Sequence, residues 1–460
     1  MAPDWSMRSL SFLNGSPQHP DLTLWTADSG GWEHTADLSN AMHLQGYRDY
    51  DTKSMLRILE RLQKLGQDLT FDGVLSDSQP LHLHFEHELN TLNHTPEHII
   101  LHTDSNMATL THPEFDSATE AITVAQAFAP SIKGRTILIT GVNRLGIGYT
   151  TAEAFASESP RLLILAGRSP AKVQECIDAL SQKYPDVEYR LLQVDLSSQE
   201  SVRNAASTVL SREDVPTIDL VINNAGVMCL PERTLSPDGI EMHLATNHIG
   251  HFLLTNLIMP KLIAAAKDKA PGTVRIINVS SVGTCTSPFR ASDPNFTKSN
   301  AELPDNEKGA LAMLKAAGLP AEEDKTYLPM IAYGHSKTCN ILHAVGLDKR
   351  LYEKYGIVSV ALYPGDMRSE LIRHTDQEWL AKAMAAREAQ GHRIKTLEEG
   401  SSTTLVAALD PKLDKPGNGY FVTNCQVGTQ PPAPKYAVDE AEADKLWETS
   451  EELVGEKFAW

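Results

Sequence analysis

From Gly134 onward, the chain alternates short apolar runs with longer amphipathic segments. The apolar runs are rich in Val, Ile and Leu and do not alternate strictly between apolar and polar residues. Such runs are typical of strands in a parallel sheet whose two faces are both covered by helices. The pattern therefore predicts an α/β fold with a doubly wound parallel sheet. The predicted strands lie at 136–140, 161–166, 189–194, 219–223, 274–279 and 358–363.

The first 130 residues follow a less regular pattern. Apolar positions recur at helical spacing in some segments and form short strand-like runs in others. We interpret residues 1–130 as an N-terminal α/β extension of unassigned fold, followed by a main domain over 131–460. The predicted elements of the extension are helices at 52–65 and 117–128 and strands at 81–85 and 98–102.

Acidic residues outnumber basic ones, with 59 Asp and Glu against 41 Lys and Arg and a formal net charge of −18 at pH 7. A negative surface repels phosphate backbones and anionic lipids, so we expect neither nucleic acid nor a membrane surface as a partner. No run approaches the roughly 18 consecutive apolar residues of a spanning helix, and the N-terminus lacks a basic segment followed by an apolar one. These features predict a cytoplasmic protein without a membrane span.

Cysteine and histidine patterns bear on metal binding. The five cysteines are scattered and never form Cys-x-x-Cys, so they predict neither a disulfide framework nor a zinc site. His82, His84 and Glu86 would share one face of a strand, but no helical His-Glu-x-x-His motif accompanies them. We therefore predict no metal site.

A glycine-rich turn follows the first predicted strand and opens a helix. Glycines let the backbone approach a pyrophosphate, whose charge is met by N–H groups at the helix N-terminus. Arg168 ends the second strand, 20 residues after the last glycine of the turn, where an arginine can pair with the 2′-phosphate of NADP(H). Arg144 could add a second cation, so the sequence favours NADP(H) over NAD(H). The candidate nucleotide-binding residues in the turn are Gly141, Asn143, Arg144, Leu145, Gly146, Ile147 and Gly148.

Four further side chains carry candidate chemistry. Tyr333 and Lys337 are four residues apart in a predicted helix and therefore point from one face. Ser281 follows a predicted strand, at the carboxyl edge of the sheet where ligands gather. Asn247 lies on a predicted helix. The Tyr-x-x-x-Lys spacing is common by chance, but not after this glycine turn and these residues in this order.

The chain from about 133 to 455, about 70% of its length, resembles the short-chain dehydrogenase/reductase family. Within that family, it is most similar to the branch of the retinol dehydrogenases and the WW-domain oxidoreductase. The resemblance implies a Rossmann-type sheet and hydride transfer between a nicotinamide and a substrate carbon. It rests on Ile-Thr-Gly at 139–141, Ala-Gly-Arg at 166–168, Val-Asp-Leu-Ser at 194–197, Asn-Asn-Ala-Gly at 223–226, Asn-His-Ile-Gly-His-Phe at 247–252, Val-Ser-Ser at 279–281, Tyr-x-x-x-Lys at 333–337 and Tyr-Pro-Gly-Asp-Met-Arg-Ser-Glu-Leu at 363–371.

The resemblance implies a role for each candidate. Tyr333 would exchange a proton with the substrate oxygen, and the ammonium of Lys337 would lower the pKa of that phenol. Both would contact the nicotinamide ribose. Ser281 would hold the substrate oxygen, and Asn247 would hold a water molecule linked to Lys337. Further cofactor contacts are implied for Asp195, Leu196, Asn223, Asn224, Ala225, Gly226, Pro364, Gly365, Met367 and Ser369.

The chain departs from the family pattern at three places. Four residues separate Gly141 from Gly146 where the pattern has three, and Ser369 stands where threonine is usual. The long interval between Ser281 and the tyrosine motif implies an insertion over 284–330, exposed at 301–325, beside the substrate cleft. Residues 370–398 would form a helical lid over that cleft.

These expectations describe an NADP(H)-dependent short-chain dehydrogenase/reductase that acts on a hydrophobic ketone, aldehyde or secondary alcohol, with carbonyl reduction favoured. Two alternatives stay open. One is a nucleotide-binding regulatory or scaffold protein without turnover, and the other is a net-neutral epimerase or dehydratase on the same fold. The pattern selects no oligomeric state, and a homodimer is one candidate assembly.

Overall fold

The structure of the chain is a computed structural model that describes residues 5–7, 22–23, 25–27, 43–44 and 109–460, apart from 390, 418–420 and 429–431. It divides into two compact units, Met1–Asn106 and Met107–Trp460. In the first unit, β1 (Trp5–Met7) pairs antiparallel with β3 (Trp25–Ala27), and β2 (Leu22–Thr23) pairs antiparallel with β4 (His43–Leu44). The predicted helix at 52–65, the predicted strands at 81–85 and 98–102, and the residues His82, His84 and Glu86 lie outside the described residues.

An eight-stranded sheet lies at the centre of the second unit. The strands of this unit are β5 (Thr136–Thr140), β6 (Leu162–Gly167), β7 (Glu188–Gln193), β8 (Leu220–Asn223), β9 (Arg275–Val279), β10 (Val358–Tyr363), β11 (Asp366–Met367), β12 (Ile394–Lys395), β13 (Phe421–Thr423) and β14 (Gln426–Val427). The large sheet has the order β14-β13-β10-β9-β8-β5-β6-β7, while β11 and β12 form a separate pair. Every neighbouring pair of the large sheet is parallel except β13 with β14. This confirms the predicted α/β fold, and each strand predicted from residue 136 onward is present within one residue of its predicted ends.

Helices cover both faces of this sheet. They are α1 (Ala121–Ala127), α2 (Ile147–Ala156), α3 (Pro170–Lys183), α4 (Gln199–Ser211), α5 (Met242–Ala266), α6 (Leu311–Ala316), α7 (Pro329–Tyr355), α8 (Gln377–Ala389), α9 (Leu397–Leu409) and α10 (Glu440–Val454). Short 3₁₀ turns lie between them, including Val282–Thr286 and Glu370–His374. Helix α5 contains a π-helical turn over Ala245–Ile249.

The two sides of the sheet form two separate core layers. Consecutive strand residues point to opposite faces, so Leu138 joins one layer while Ile137 and Ile139 join the other. Helices α4, α5, α7 and α10 cover the first layer, and α1, α2, α3 and α9 cover the second. Because both faces of the central strands are buried, apolar residues occur on both faces of these strands, which explains the absence of strict alternation.

The boundary predicted at residue 130 lies inside the second unit. Phe115, Val124 and Phe128 are buried in the same core layer as Phe155 of α2. The predicted helix over 117–128 is present as the shorter α1. The segment from 109 to 130 therefore belongs to the nucleotide-binding fold, because its apolar side chains complete one face of the sheet.

Helix α5 is the one helix of the described part of the chain that is long and apolar enough to cross a membrane by length and composition. In the fold, 72% of its most apolar window is buried against other elements. Its apolar residues thus belong to the core layer that packs on β8 and β9. The absence of a membrane span stays a prediction, as does the cytoplasmic location.

Helix α7 buries His343 against Phe252, Trp447 and His248. Neither ring nitrogen of His343 has a hydrogen-bond partner among the described residues, and burial holds its pKa well below the ordinary value. Below about pH 6.5 the folded protein therefore binds fewer protons than the unfolded chain. The free energy of unfolding consequently decreases as the pH is lowered. For one such histidine, we expect a loss of about 1 kcal/mol between pH values of about 6.5 and 5.5.

We expect His343→Leu to flatten the pH dependence of the unfolding free energy by that amount. Denaturant titrations at several pH values would measure it. His392→Leu is the control, because it makes the same substitution at an exposed histidine. A His343→Leu curve parallel to that of the wild type would show that this histidine gains its proton at no cost.

Candidate active site

The carboxyl ends of β5 and β8 border a cavity of about 950 Å³. The chain continues from β5 toward one edge of the sheet, to β6, and from β8 toward the other edge, to β9. A doubly wound sheet binds its ligand between two such strands. The glycine turn after β5 forms one end of this cavity, and residues of β9 and α7 form the middle. The insertion and the predicted lid form the other end.

The glycine turn packs against neighbouring backbone more closely than larger residues would allow. Gly141 has φ +72°, and a Cβ there would lie 2.6 Å from the Cα of Ala225. A Cβ at Gly148 would lie 2.7 Å from the carbonyl oxygen of Gly141. Gly146 begins α2 without a side-chain cap, and it lines the cavity with Ile147. The first turn of α2 has no side-chain cap, so its N–H groups fit a cofactor phosphate at this end.

The structure separates the residues predicted in the turn. Asn143 lines the cavity, and its side-chain oxygen accepts a hydrogen bond from the N–H of Leu145 at 3.1 Å. The side chain of Leu145 is exposed outside the lining. The guanidinium of Arg144 lies 4.1 Å from the centre of the Tyr149 ring and also lies outside the lining. The role of Arg144 as a second phosphate cation stays a prediction, since its guanidinium stacks on Tyr149 in this structure.

Arg168 lines the cavity at the end of β6, as predicted, and Lys172 joins it from the first turn of α3. Sequence analysis missed Lys172, because Arg168 precedes α3 and helical spacing does not relate the two residues. The two cations lie at the ribose end of the cavity, where the predicted 2′-phosphate would bind.

The Asn-Asn-Ala-Gly segment is split between structure and cavity. Asn224, Ala225 and Gly226 line the cavity. Asn223 is buried instead, where its amide donates to Asn278 Oδ1 at 3.0 Å and to the Thr255 hydroxyl at 3.2 Å. The prediction that Asn223 contacts the cofactor is therefore not supported, because its side chain joins β8 to β9 and α5. The other implied cofactor contacts line the cavity, namely Asp195, Leu196, Pro364, Gly365, Met367 and Ser369.

Three predicted catalytic side chains meet in this cavity. Tyr333 and Lys337 lie one turn apart on α7, and both are 3% exposed. Tyr333 shares a hydrogen bond with Ser281, which follows β9. The ammonium of Lys337 donates to the carbonyl oxygen of Val279 at 2.9 Å and lies 5.9 Å from the centre of the Tyr333 ring. The arrangement places a phenol, a hydroxyl and an amine around one point.

Burial controls protonation at this point. It raises the pKa of Tyr333, although the hydrogen bond with Ser281 acts in the opposite direction. The same burial lowers the pKa of Lys337 to about 7. The expected lowering of the phenol pKa by a lysine ammonium is therefore outweighed by desolvation. At neutral pH the phenol keeps its proton, as a proton donor to a carbonyl oxygen must.

Asn247 lies behind this group and outside the cavity lining. Its amide donates to the carbonyl oxygen of Val227 at 3.0 Å and to the Ser336 hydroxyl at 2.8 Å, and it accepts from the Val227 N–H at 2.8 Å. Its backbone oxygen accepts from His251 at 3.0 Å and from Asn340 at 2.7 Å. Asn247 therefore fixes the loop beside the cavity, and its contact with a water molecule stays a prediction.

The stretch 301–325 is mostly exposed, as predicted, but the insertion also has a small apolar core. Phe296, Leu314 and Leu328 form a small core with Ile331 and Ala332 of α7. Helix α6 of the insertion places part of its apolar surface on the cavity. Apolar contact with α7 thus holds the insertion against the residues that precede Tyr333.

The predicted lid contains helix α8, and the insertion contacts it. The indole N–H of Trp379 donates to the carbonyl oxygen of Ala317 at 2.9 Å. Arg387 forms an ion pair with Asp366, which also accepts from the hydroxyl of Tyr363. These contacts hold α8 across the substrate end of the cavity.

Sequence analysis also missed a clamp on the loop before the substrate end. The backbone N–H of Leu230 donates to His243 Nε2 at 3.3 Å, and its carbonyl oxygen accepts from the Tyr327 hydroxyl at 2.8 Å. His243 is oriented by Glu241, whose carboxylate lies 2.8 Å from Nδ1. Because Tyr327 belongs to the insertion, this segment positions the loop in addition to forming a wall.

Residues 135–292 match the family model described as short chain dehydrogenase. The oxidoreductase fscI of Fusarium equiseti is 42% identical over 251 residues, which cover 55% of this chain and 94% of that protein. Retinol dehydrogenase 12 of Homo sapiens is 32% identical over 324 residues, which cover 70% of this chain and 87% of that protein. The chain belongs to the short-chain dehydrogenase/reductase family.

A solved structure agrees with this assignment. The crystal structure of an uncharacterised protein from Mycobacterium paratuberculosis superposes with a TM-score of 0.50 at 26% identity, covering 73% of this chain and 98% of that one. The relatives place this dehydrogenase/reductase in the retinol-dehydrogenase-like branch, which confirms the resemblance seen in its motifs. It is therefore an oxidoreductase that uses a nicotinamide cofactor and a small-molecule substrate.

Proposed function

We propose that this dehydrogenase/reductase is an NADP(H)-dependent carbonyl reductase that acts on hydrophobic ketones or aldehydes, and on secondary alcohols in reverse. One observation carries the proposal: Ser281, Tyr333 and Lys337 line the same cavity as Arg168 and the glycine turn. That continuity favours turnover over a scaffold role, because a scaffold needs no proton donor beside the nucleotide site. It also gives a net redox reaction a complete set of groups.

The cofactor preference is supported by charge at the ribose end. Arg168 and Lys172 both line the cavity, and Arg168 forms no ion pair within the part of the chain that the structure describes. A guanidinium is well suited to a phosphate dianion because its N–H groups can bind two oxygens at once. Proteins that bind NAD(H) commonly have an acidic residue here, which accepts a hydrogen bond from the ribose 2′-hydroxyl, whereas this chain has Arg168.

The substrate class is supported by the other end of the cavity. Its walls are mainly aliphatic, aromatic and thioether side chains, which favour an apolar substrate because they offer few hydrogen-bond partners. The insertion, α7 and the lid each contribute to this surface. The apolar lining residues include Met228, Leu230, Met313, Leu314, Leu319, Met330, Ile372, Trp379, Leu380 and Met384.

The chemistry divides between cofactor and chain. When bound, the nicotinamide supplies or accepts the hydride. In carbonyl reduction, Tyr333 donates its phenolic proton to the substrate oxygen, and the Ser281 hydroxyl holds that oxygen within reach. The phenolate that remains is stabilised by Lys337 when the lysine is protonated. Its pKa of about 7 makes that ammonium available near neutral pH.

Arg168→Asp tests the cofactor assignment. The variant removes a charge-assisted contact and adds a repulsive carboxylate, so we expect NADPH to bind about 100-fold more weakly. NADH should bind with nearly unchanged affinity, because aspartate can accept a hydrogen bond from its ribose 2′-hydroxyl. Titration of the fluorescence of each reduced nucleotide would measure both dissociation constants, and oxidation of NADPH with a panel of hydrophobic carbonyl compounds would measure turnover.

Arg144→Gln is the matched comparison for Arg168→Asp. Because Arg144 stacks on Tyr149 outside the cavity, we expect the ratio of the NADPH and NADH dissociation constants to stay within about twofold of wild type. Equal weakening of both nucleotides by Arg168→Asp would contradict the NADP(H) assignment.

A further inference from the structure

Lys172 and Glu370 form an ion pair at the rim of the cavity. Lys172 Nζ lies 3.0 Å from Glu370 Oε1, and both residues belong to the cavity lining. The lysine belongs to α3, on the ribose side, whereas the glutamate begins the 3₁₀ turn that leads to the lid. The backbone N–H of Glu370 donates to the carbonyl oxygen of Leu145 at 3.1 Å, which fixes the glutamate beside the glycine turn.

The pair connects the two walls on either side of the nucleotide end. Its side chains are partly exposed, at 58% for Lys172 and 33% for Glu370, so the pair can exchange partners at low cost. Arg168, four residues before Lys172, forms no ion pair among the described residues. Of the cations that the structure describes at the ribose end, Lys172 is paired with a carboxylate and Arg168 is not.

A phosphate dianion competes with that carboxylate. A 2′-phosphate bound at Arg168 would carry more negative charge and more acceptor oxygens than Glu370, which makes it the stronger partner for the ammonium of Lys172. If Lys172 stayed with Glu370, the phosphate would instead face a nearby carboxylate. NAD(H), with a neutral 2′-hydroxyl, exerts neither effect.

We propose that Lys172 and Glu370 are an exchangeable ion pair that sets cofactor selectivity. The 2′-phosphate of NADP(H) takes Lys172 from Glu370, whereas NAD(H) leaves the pair intact. Glu370 thus weakens NADP(H) binding in wild type, and Lys172 strengthens it. This inference rests on the proposed NADP(H) function.

A double-mutant cycle in the full chain tests the exchange, using Glu370→Gln, Lys172→Gln and the double variant. We expect Glu370→Gln to tighten NADPH binding about fivefold and Lys172→Gln to weaken it about tenfold, with NADH unchanged within about twofold. In the Lys172→Gln background, Glu370→Gln should tighten NADPH at most about twofold, because no lysine remains to be released. Titration of reduced-nucleotide fluorescence would give all eight dissociation constants.

Other results would overturn the exchange. An equal gain from Glu370→Gln in both backgrounds would mean that Glu370 acts by repulsion alone, and equal changes for NADPH and NADH would remove it from selectivity. Lys183→Gln is the control. Lys183 lies on the same helix as Lys172 but outside the cavity lining, and it forms a 3.0 Å ion pair with Glu153 of α2. This substitution should change neither affinity.

The two proposals can fail separately. If wild type does not bind NADPH more tightly than NADH, and Arg168→Asp weakens both equally, the proposed cofactor is wrong. If wild type prefers NADPH through Arg168 but Glu370→Gln changes nothing, only the exchange is wrong.

Discussion

Tyr333→Phe is expected to lower carbonyl turnover by about 1,000-fold, which is within the range that a positioned acid or base contributes. The substitution removes one oxygen atom from a residue that is 3% exposed, so the surrounding packing should persist. The lost oxygen bonds to Ser281 and faces the cavity. NADPH affinity should stay within about threefold of wild type, because that loss concerns one hydrogen bond at most. Steady-state oxidation of NADPH and direct nucleotide titration would measure the two effects.

Tyr327→Phe is the matched control for this prediction. It removes the same atom from another tyrosine near the cavity, whose hydroxyl bonds to the carbonyl oxygen of Leu230 at 2.8 Å. Because that bond positions a loop, we expect a rise in KM of a few-fold and a small change in kcat. If Tyr333→Phe kept more than about a tenth of wild-type turnover, Tyr333 would not be the proton donor.

Local signals in the sequence were sufficient for much of this site. The turn at Gly141 needs positive φ and close approach to Ala225, and only glycine meets both requirements without strain, so the position is recognisable in the sequence. The spacing of Tyr333 and Lys337 fixes one helix face without tertiary information. Strand ends gave Ser281 in the same way, because a parallel sheet gathers its carboxyl ends at one edge.

Contacts between distant segments could not be predicted in that way. Arg144 and Lys172 are both cations near the nucleotide turn, and only packing shows that one stacks on Tyr149 while the other lines the cavity. Asn223 follows the motif, but its amide completes contacts between elements. The buried part of the insertion was missed because Leu314 becomes apolar core only against α7.

Tight packing beside the proton donor leaves no room for a side chain at Gly334. A Cβ at Gly334 would lie 2.0 Å from the Thr286 hydroxyl oxygen and 2.3 Å from the carbonyl oxygen of Gly283. Both belong to the turn that Ser281 caps through the N–H of Gly283 at 3.0 Å. That turn also packs on Tyr333, since a Cβ at Gly283 would lie 3.0 Å from the ring.

Gly334→Ala must therefore displace the turn, and with it Ser281, from Tyr333. We expect a loss of about 3 kcal/mol in unfolding free energy, because a methyl group is forced against backbone. We also expect kcat of the folded variant to fall at least 100-fold, because a shift of about 1 Å between reacting groups costs that much. Thermal unfolding and steady-state kinetics would measure the two losses.

Two further variants show whether the displaced backbone is the cause. Gly346→Ala makes the same change on the same helix, where the nearest atom is a side-chain carbon of Trp447 at 3.3 Å, so it should fold and keep near-normal kcat. Thr286→Ala combined with Gly334→Ala removes the hydroxyl but leaves the Gly283 carbonyl 2.3 Å away, so activity should stay low. Recovery in that double variant would place the conflict at the threonine side chain, and Ser281 would then be held by something other than the close approach of α7 to its turn.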